Sequence, residues 1–303
     1  MAKAQITLGI EAGDSSLKLA LLDTKARKLL RVDVLPLQAP ALSEVARLEN
    51  ILSSWLSEHG SPKLSGVCMA LPAIHGVLRD LRLPPDADDV DAYIRWELSS
   101  ALDTSLDLYY LDYELLPDRK KPTNALVCAY RRAPLDALRQ GLHRKDLSPS
   151  VVEPDLFSLF NLLEVAEGMD AEMRCVVKAD RAGILVAWGN VHGPATVRWV
   201  STGLLGIDPD SSVYPMLAEN LTQVLADGFA LHHGMESVVR LCGELVAEGG
   251  FMEALTDKVR NLELLPWDSF LKISLDAEGC PSRTVEQCAA AIGCALRSAG
   301  DRK

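Results

Sequence analysis

The chain has 303 residues, 48% of them hydrophobic, which is enough for two domains with full cores or for one bilobed protein. Its 31 basic residues against 42 acidic ones leave a net charge of −11, which argues against nucleic acid as the main partner. No apolar run reaches the roughly 18–20 residues that span a bilayer, and the opening Met1-Ala2-Lys3-Ala4-Gln5 lacks a secretory apolar core. The expectation is a soluble, cytoplasmic protein that meets a membrane only through partners.

Residues 6–22 read as a strand, a tight turn at Gly13, and a second strand with Leu17, Leu19 and Leu21 on one face. Glu11 closes the first strand, and Gly13-Asp14-Ser15-Ser16 and Lys18 follow. Amides and hydroxyls in such a turn cradle phosphate, a lysine neutralises it, and a carboxylate holds a metal or orients water. The same residues also suit a plain hairpin with a Gly-Asp turn. Residues 41–58 carry helical periodicity through Leu48, Leu52 and Trp55, ended by Gly60. A buried strand over 66–72 follows, then an alternating strand over 77–83 that stops at Pro84-Pro85.

The acidic start Asp86-Ala87-Asp88-Asp89 predicts a helix over 90–102. Strands over 108–115 and 124–130 flank a polar turn at Asp118-Arg119-Lys120-Lys121-Pro122, and a helix over 133–142 completes a compact insertion of helix, strand, strand and helix. Further strands are expected at 175–186 and 196–200, a helix at 214–231 and a strand at 238–241, with Gly249-Gly250 read as a loop. The seven cysteines are scattered among apolar neighbours without a C-x-x-C pair and read as reduced, buried thiols. His232 and His233 are adjacent on a predicted helix and point about 100° apart, so they do not share a metal. No G-x-S-x-G, H-E-x-x-H, G-x-x-x-x-G-K-[ST] or G-x-G-x-x-G occurs, which removes the common hydrolase, zincin, P-loop and dinucleotide readings.

The first hairpin resembles the phosphate hairpin of the actin and sugar-kinase superfamily. Leu83-Pro84, Ile94-Arg95-Trp96-Glu97, Leu111-Asp112-Tyr113 and Val151-Val152-Glu153-Pro154-Asp155 with its following helix stand in the order found in the PilM family, the cytoplasmic actin-like proteins of type IV pilus assembly. The run Ala289-Ala290-Ala291-Ile292-Gly293-Cys294-Ala295-Leu296-Arg297 resembles that family's closing helix. The resemblance implies an α/β, bilobed actin-like (ribonuclease H-like) fold with an inserted small α/β subdomain and a reduced second lobe. Residues 1–85, 153–173 and 284–303 are expected to form one lobe, 86–152 the insertion, and 174–283 a second lobe with little outer subdomain. A mixed five-stranded sheet is expected in each lobe.

The resemblance also implies ATP held between the lobes by three elements, each of which departs from the pattern here. Glu11 stands where the family has Asp, which displaces the carboxylate by roughly 1.5 Å. In the second hairpin, one alignment places Lys178 on the acid and Asp180 on the glycine, and a shifted one uses Asp180 as the acid and Gly183 as the turn. In the third element only Gly243 remains, followed by Glu244. The cofactor expectation is therefore none, or weakly held ATP with magnesium, on Glu11, Gly13, Asp14, Ser15, Ser16, Lys18, Asp180, Gly183 and Gly243, with no catalytic residue and no metal ligand.

The implied function is a scaffold at the inner face of the inner membrane that binds the short tail of a PilN-like membrane protein carrying an Asn-Leu-Leu-Pro-like motif. Val77, Leu81, Leu83, Tyr109, Tyr110 and Tyr113 are the expected groove between the first lobe and the insertion. Contact with a pilus motor ATPase and self-association stay open. Two alternatives also stay open: a GspL-like type II secretion component, against which stands the chain's end at Asp301-Arg302-Lys303 without a transmembrane helix, and a working ATPase or sugar kinase.

Overall fold

The computed structural model describes residues 5–43, 45–84, 89–102, 104–116, 124–142, 146–167, 172–190, 193–203, 211–232, 235–267, 273–276 and 278–300. The predicted Asp86-to-Asp88 helix start, the Asp118-to-Pro122 turn, most of the loop over 203–210, His233 and the last three residues lie outside them. The chain opens with β1 (Ile6–Ala12), β2 (Ser16–Asp23) and β3 (Lys28–Pro36), then α1 (Val45–Glu58), β4 (Leu64–Leu71) and β5 (Gly76–Arg82). Next come α2 (Val90–Ala101), β6 (Tyr109–Leu116), β7 (Asn124–Arg131), α3 (Arg132–Gly141), β8 (Val151–Pro154) and α4 (Asp155–Glu167). The second half contains β9 (Arg174–Asp180), β10 (Gly183–Asn190), β11 (Gly193–Val200), α5 (Tyr214–Leu231), β12 (Val238–Cys242) and α6 (Gly249–Lys258). It ends with β13 (Glu263–Pro266), β14 (Ser274–Leu275), α7 (Ser282–Gln287) and α8 (Ala289–Gly300).

These strands form three sheets, ordered β14-β3-β2-β1-β4-β8, β11-β10-β9-β12-β13 and β5-β7-β6. The first sheet therefore has six strands rather than the five expected. The additional strand, β14, arrives from beyond the second sheet and pairs in parallel with β3 through Ser274↔Lys28 and Leu275↔Leu29. β3 itself carries no clean alternation in the sequence. Leu21 pairs with Arg31 and Leu22 with Leu29, so Leu30 is an extra residue that breaks the period-2 pattern. β5, grouped from the sequence with the first lobe, hydrogen-bonds instead to β7 from Gly76↔Tyr130 to Arg82↔Asn124 and belongs to the small sheet. Gly249 and Gly250, read as a loop, open helix α6 behind the N-cap Glu248.

The two large sheets share one core. One face of the first sheet packs on α1 through Leu48, Leu52 and Trp55. Its other face meets α4, α8 and the inner face of the second sheet in a single cluster that includes Leu22, Leu29, Phe160, Ala291, Val176 and Leu185. The outer face of the second sheet is covered by α5 and α6 through Leu221, Leu225, Phe251 and Leu255. Among the described residues between β11 and β12, α5 is the one α-helix.

Helix α8 lies against β1 because Gly9 has no side chain. A Cβ there would sit 1.9 Å from the Ala291 carbonyl oxygen and 2.6 Å from the Ala295 nitrogen, both helix backbone that cannot yield. Thr7 Oγ1 adds a 2.8 Å hydrogen bond to the Ala295 carbonyl. Gly9→Ala is accordingly expected to lose at least about 2 kcal/mol of stability through overpacking, read from the urea midpoint at constant slope.

A closed ionic cleft between the two large sheets

The candidate site is the floor of the cleft where the ends of β1, β2 and β9 meet. Within β1 and β2, Glu11 pairs directly with Lys18 across the hairpin. In β9, Lys178 and Asp180 are two residues apart, so both side chains leave the same face of the strand. Asp155 is the first residue of α4, where a carboxylate is favoured by the helix dipole, and its Oδ1 accepts the Ala73 N–H at 3.0 Å.

These residues form one buried network. Lys18 Nζ lies 2.9 Å from Glu11 Oε1 and 2.7 Å from Asp180 Oδ1. Lys178 Nζ lies 2.8 Å from Glu11 Oε1, 2.5 Å from Asp155 Oδ2 and 2.8 Å from Asp180 Oδ2. Burial alone pulls both ammonium groups down, but the surrounding carboxylates outweigh it and hold both pKa values above the ordinary lysine value. Burial pushes the Asp180 carboxyl up, yet Lys178 and Lys18 outweigh it and hold the group well below its ordinary value. Glu11 moves the other way. Burial dominates and raises its pKa, and its Oε2 has no partner among the described residues.

Glu244 completes the site from the second half of the chain. Gly243, with φ +108°, turns the chain out of β12, and its missing Cβ would lie 2.4 Å from the Ala179 carbonyl oxygen. This turn delivers Glu244 so that its backbone N–H donates to Asp180 Oδ1 at 3.0 Å. Its carboxylate accepts from Ser15 Oγ at 3.0 Å, from Ser16 Oγ and from the Arg181 backbone N–H at 3.2 Å. The expected site residues Glu11, Ser15, Ser16, Lys18 and Asp180 are thus brought together. Gly13 closes the first turn by donating its N–H to the Ser16 carbonyl at 3.1 Å. Gly183 pairs with Asp180 across the second turn, and the Trp199 ring lies over it.

At the cleft mouth, His75 Nε2 pairs with the Asp14 carboxylate at 2.8 Å. Beside it Ile74 and Trp199 remain 42% and 36% exposed. The space left is about 400 Å³ only when the open solvent at the mouth is counted, so volume by itself does not decide what enters. The polar groups do decide it. Phosphate needs free donors and magnesium needs free oxygens in octahedral array. Here the hairpin hydroxyls are engaged by Glu244, Asp155, Asp180 and one oxygen of Glu11 are engaged by ammonium groups, and the other Glu11 oxygen is buried. The residues present therefore do not fit a magnesium–nucleotide pair in this conformation.

Sequence reasoning singled out Lys178 and Glu244 only as misplaced charges and did not place Asp155, His75 or Trp199 at the site. A carboxylate opening a helix after Glu153-Pro154 was the signal available for Asp155. A second buried group, Cys68, Cys294 and Glu153, brings candidate ligand atoms within 4.8 Å of one another. Its Glu153 is committed to Ser158 Oγ at 2.6 Å and Asn161 Nδ2 at 3.2 Å, and the two sulfurs touch at 2.6 Å.

The expected peptide-binding residues divide between two faces of the small sheet. Val77, Leu81, Leu83, Tyr109 and Tyr113 share one cluster. They pack with Ile94 and Leu98 of α2 as the core of the small sheet, and Leu83 and Tyr109 are buried. Strand alternation sends Tyr110 to the opposite face, where Arg132 lies 4.3 Å from its ring centroid and Asp136 accepts its hydroxyl at 2.7 Å. The six residues therefore do not meet in one place.

No protein-family model and no curated protein matches the chain. Solved structures do. The chain is similar to a PilM–PilN type IV pilus biogenesis complex at 21% identity and TM-score 0.75, over 96% of this chain and 98% of that one. It is similar to the cytoplasmic domain of EpsL, an inner-membrane component of the Vibrio cholerae type II secretion system, at 12% identity and TM-score 0.51, over 78% and 81%. A Bacteroides thetaiotaomicron protein with an actin-like ATPase fold and unknown function aligns at 10% identity and TM-score 0.51, over 95% and 96%. The chain has the actin-like α/β fold.

Two outcomes follow from the network. Lys178→Met leaves buried carboxylates uncompensated and is expected to cost roughly 3–5 kcal/mol, with part regained when Glu11→Gln is added, measured by urea unfolding. The hydrogen bond to Asp14 raises the pKa of His75 above its ordinary 6.5, against burial. Its contribution to stability is therefore complete below about pH 6.5 and is lost as pH rises through the folded-state value. His75→Ala is expected to remove that part of the pH dependence, read from melting temperatures between about pH 5.5 and 8.5.

Proposed function

We propose that this chain is a non-enzymatic scaffold of an inner-membrane pilus or secretion platform, binding the cytoplasmic tail of a membrane partner of the PilN kind. The carrying observation is the likeness over nearly the whole of both chains to a protein solved as a PilM–PilN complex. The EpsL likeness supports the same setting in a secretion machine. Among the described residues no helix is long and apolar enough to cross a membrane, which suits contact through a partner. The closed ionic cleft supports a role that does not turn over nucleotide.

The small sheet offers the docking element. Its order makes β5 and β6 both edge strands, and an edge presents unpaired backbone groups that an extended tail can continue. β5 lies next to the first lobe along the chain and exposes Arg79, Asp80 and Arg82, so the tail adds as a strand beside it, its leucines seated between the small sheet and the first lobe. In this reading the insertion, residues 86–152 together with β5, is the partner-binding unit, and the two large sheets are its support.

A labelled tail peptide carrying Asn-Leu-Leu-Pro is expected to bind and to protect amides of residues 76–82 from hydrogen exchange. Changing both leucines to Asp is expected to weaken it by on the order of tenfold or more. Protection confined to β6, or no binding by pilus-type or secretion-type tails, would sink the docking reading. Calorimetry with ATP and magnesium is expected to show no micromolar binding, and phosphate release is expected to stay at the buffer level.

A further inference from the structure

We infer that the first hairpin keeps an anion-binding function and that its ligand is the chain's own Glu244 carboxylate, with the Lys178 ammonium as the matching internal cation. The inference deepens the nucleotide-free reading above and rests on it.

The hairpin supplies donors of the kind that bind oxyanions, two serine hydroxyls in a glycine turn with a lysine behind them. An oxyanion is present on them. Glu244 takes Ser15 Oγ and Ser16 Oγ from the first lobe and the Arg181 N–H from the second hairpin, and it is itself buried. A cation is present as well. Lys178 Nζ is ringed by oxygens of Glu11, Asp155 and Asp180 at 2.5–2.8 Å. Asp180 couples the two, binding Lys178 by one oxygen and the Glu244 N–H by the other.

The delivery of Glu244 is built into the backbone. Gly243 needs its positive φ and its close approach to Ala179, and its N–H is held by the Glu286 carbonyl at 3.1 Å. The consequence is a cleft closed by covalently attached ions, with no dependence on a diffusible ligand's concentration. Closure in a nucleotide-binding relative would follow mass action in the nucleotide; here it is intramolecular.

The test is a thermal-unfolding comparison on the full chain. Glu244→Ala strands the hairpin donors and is expected to lower the melting temperature by about 5 °C. Sodium acetate, supplying the missing carboxylate, is expected to restore part of that loss relative to sodium chloride at equal ionic strength, while leaving wild type unchanged. Should the Ala variant fail to fold, the milder Glu244→Gln, Ser16→Ala and their double form a cycle in which a non-additive loss is expected. An Ala variant as stable as wild type, one that acetate stabilises no more than it stabilises wild type, or an additive cycle overturns the assignment. Stabilisation of wild type by ATP with magnesium would instead overturn the nucleotide-free reading, and the cycle, run without nucleotide, separates the two failures.

Discussion

A single ammonium group, Lys178 Nζ, touches carboxylates at the end of β1, the start of α4 and the end of β9. Removing such charges from water costs several kcal/mol each, and attraction offsets that only when all partners are seated. Neither half of the chain can bury its share alone. Glu11 and Lys18 come from the first sheet, Asp180 and Lys178 from the second, and Asp155 from the helix between them. The relative placement of the two sheets is therefore set at the cleft floor by charge pairing, and behind it by the apolar core that α4 and α8 share with both sheets.

A second constraint is steric. Gly9 lets α8 lie on β1, and Gly243 lets the turn after β12 reach Ala179. The first seats α8 in the core shared by the two large sheets and the second brings Glu244 to the hairpin. Both are backbone approaches that any side chain would block. Their effect is to bring the chain's own charged groups together at the cleft floor.

The proposed division of labour follows from this arrangement. The hydroxyls and ammonium groups of the cleft floor are paired internally, and its mouth presents the part-exposed Ile74 and Trp199. The small sheet has its own core against α2 and two edges, which is what strand addition requires. Partner binding at a sheet edge demands a rigid support more than a working cleft, and an internally closed pair of lobes supplies one.

Much of this was legible in the residues. The hairpin around Gly13, the amphipathic α1, the insertion between β5 and β8, and the unusual charges Glu11, Lys178 and Glu244 can all be read locally, because periodicity and turn chemistry act over a few positions. β3 was hidden because an extra residue at Leu30 breaks its alternation. The assignment of β5 to the small sheet was hidden because an alternating strand carries no label for its partner. Tyr109, Tyr110 and Tyr113 looked like one surface, but alternation and α2 put two of them in a core and one outside it. The sequence by itself determined which charged residues exist and which local elements carry them. Only the tertiary structure decided that Lys178 faces Glu11 and Asp155, and that Glu244 faces Ser15 and Ser16. Those pairs are separated by 23 to 229 positions, and a long-range contact is created by the packing of whole elements rather than by any local pattern.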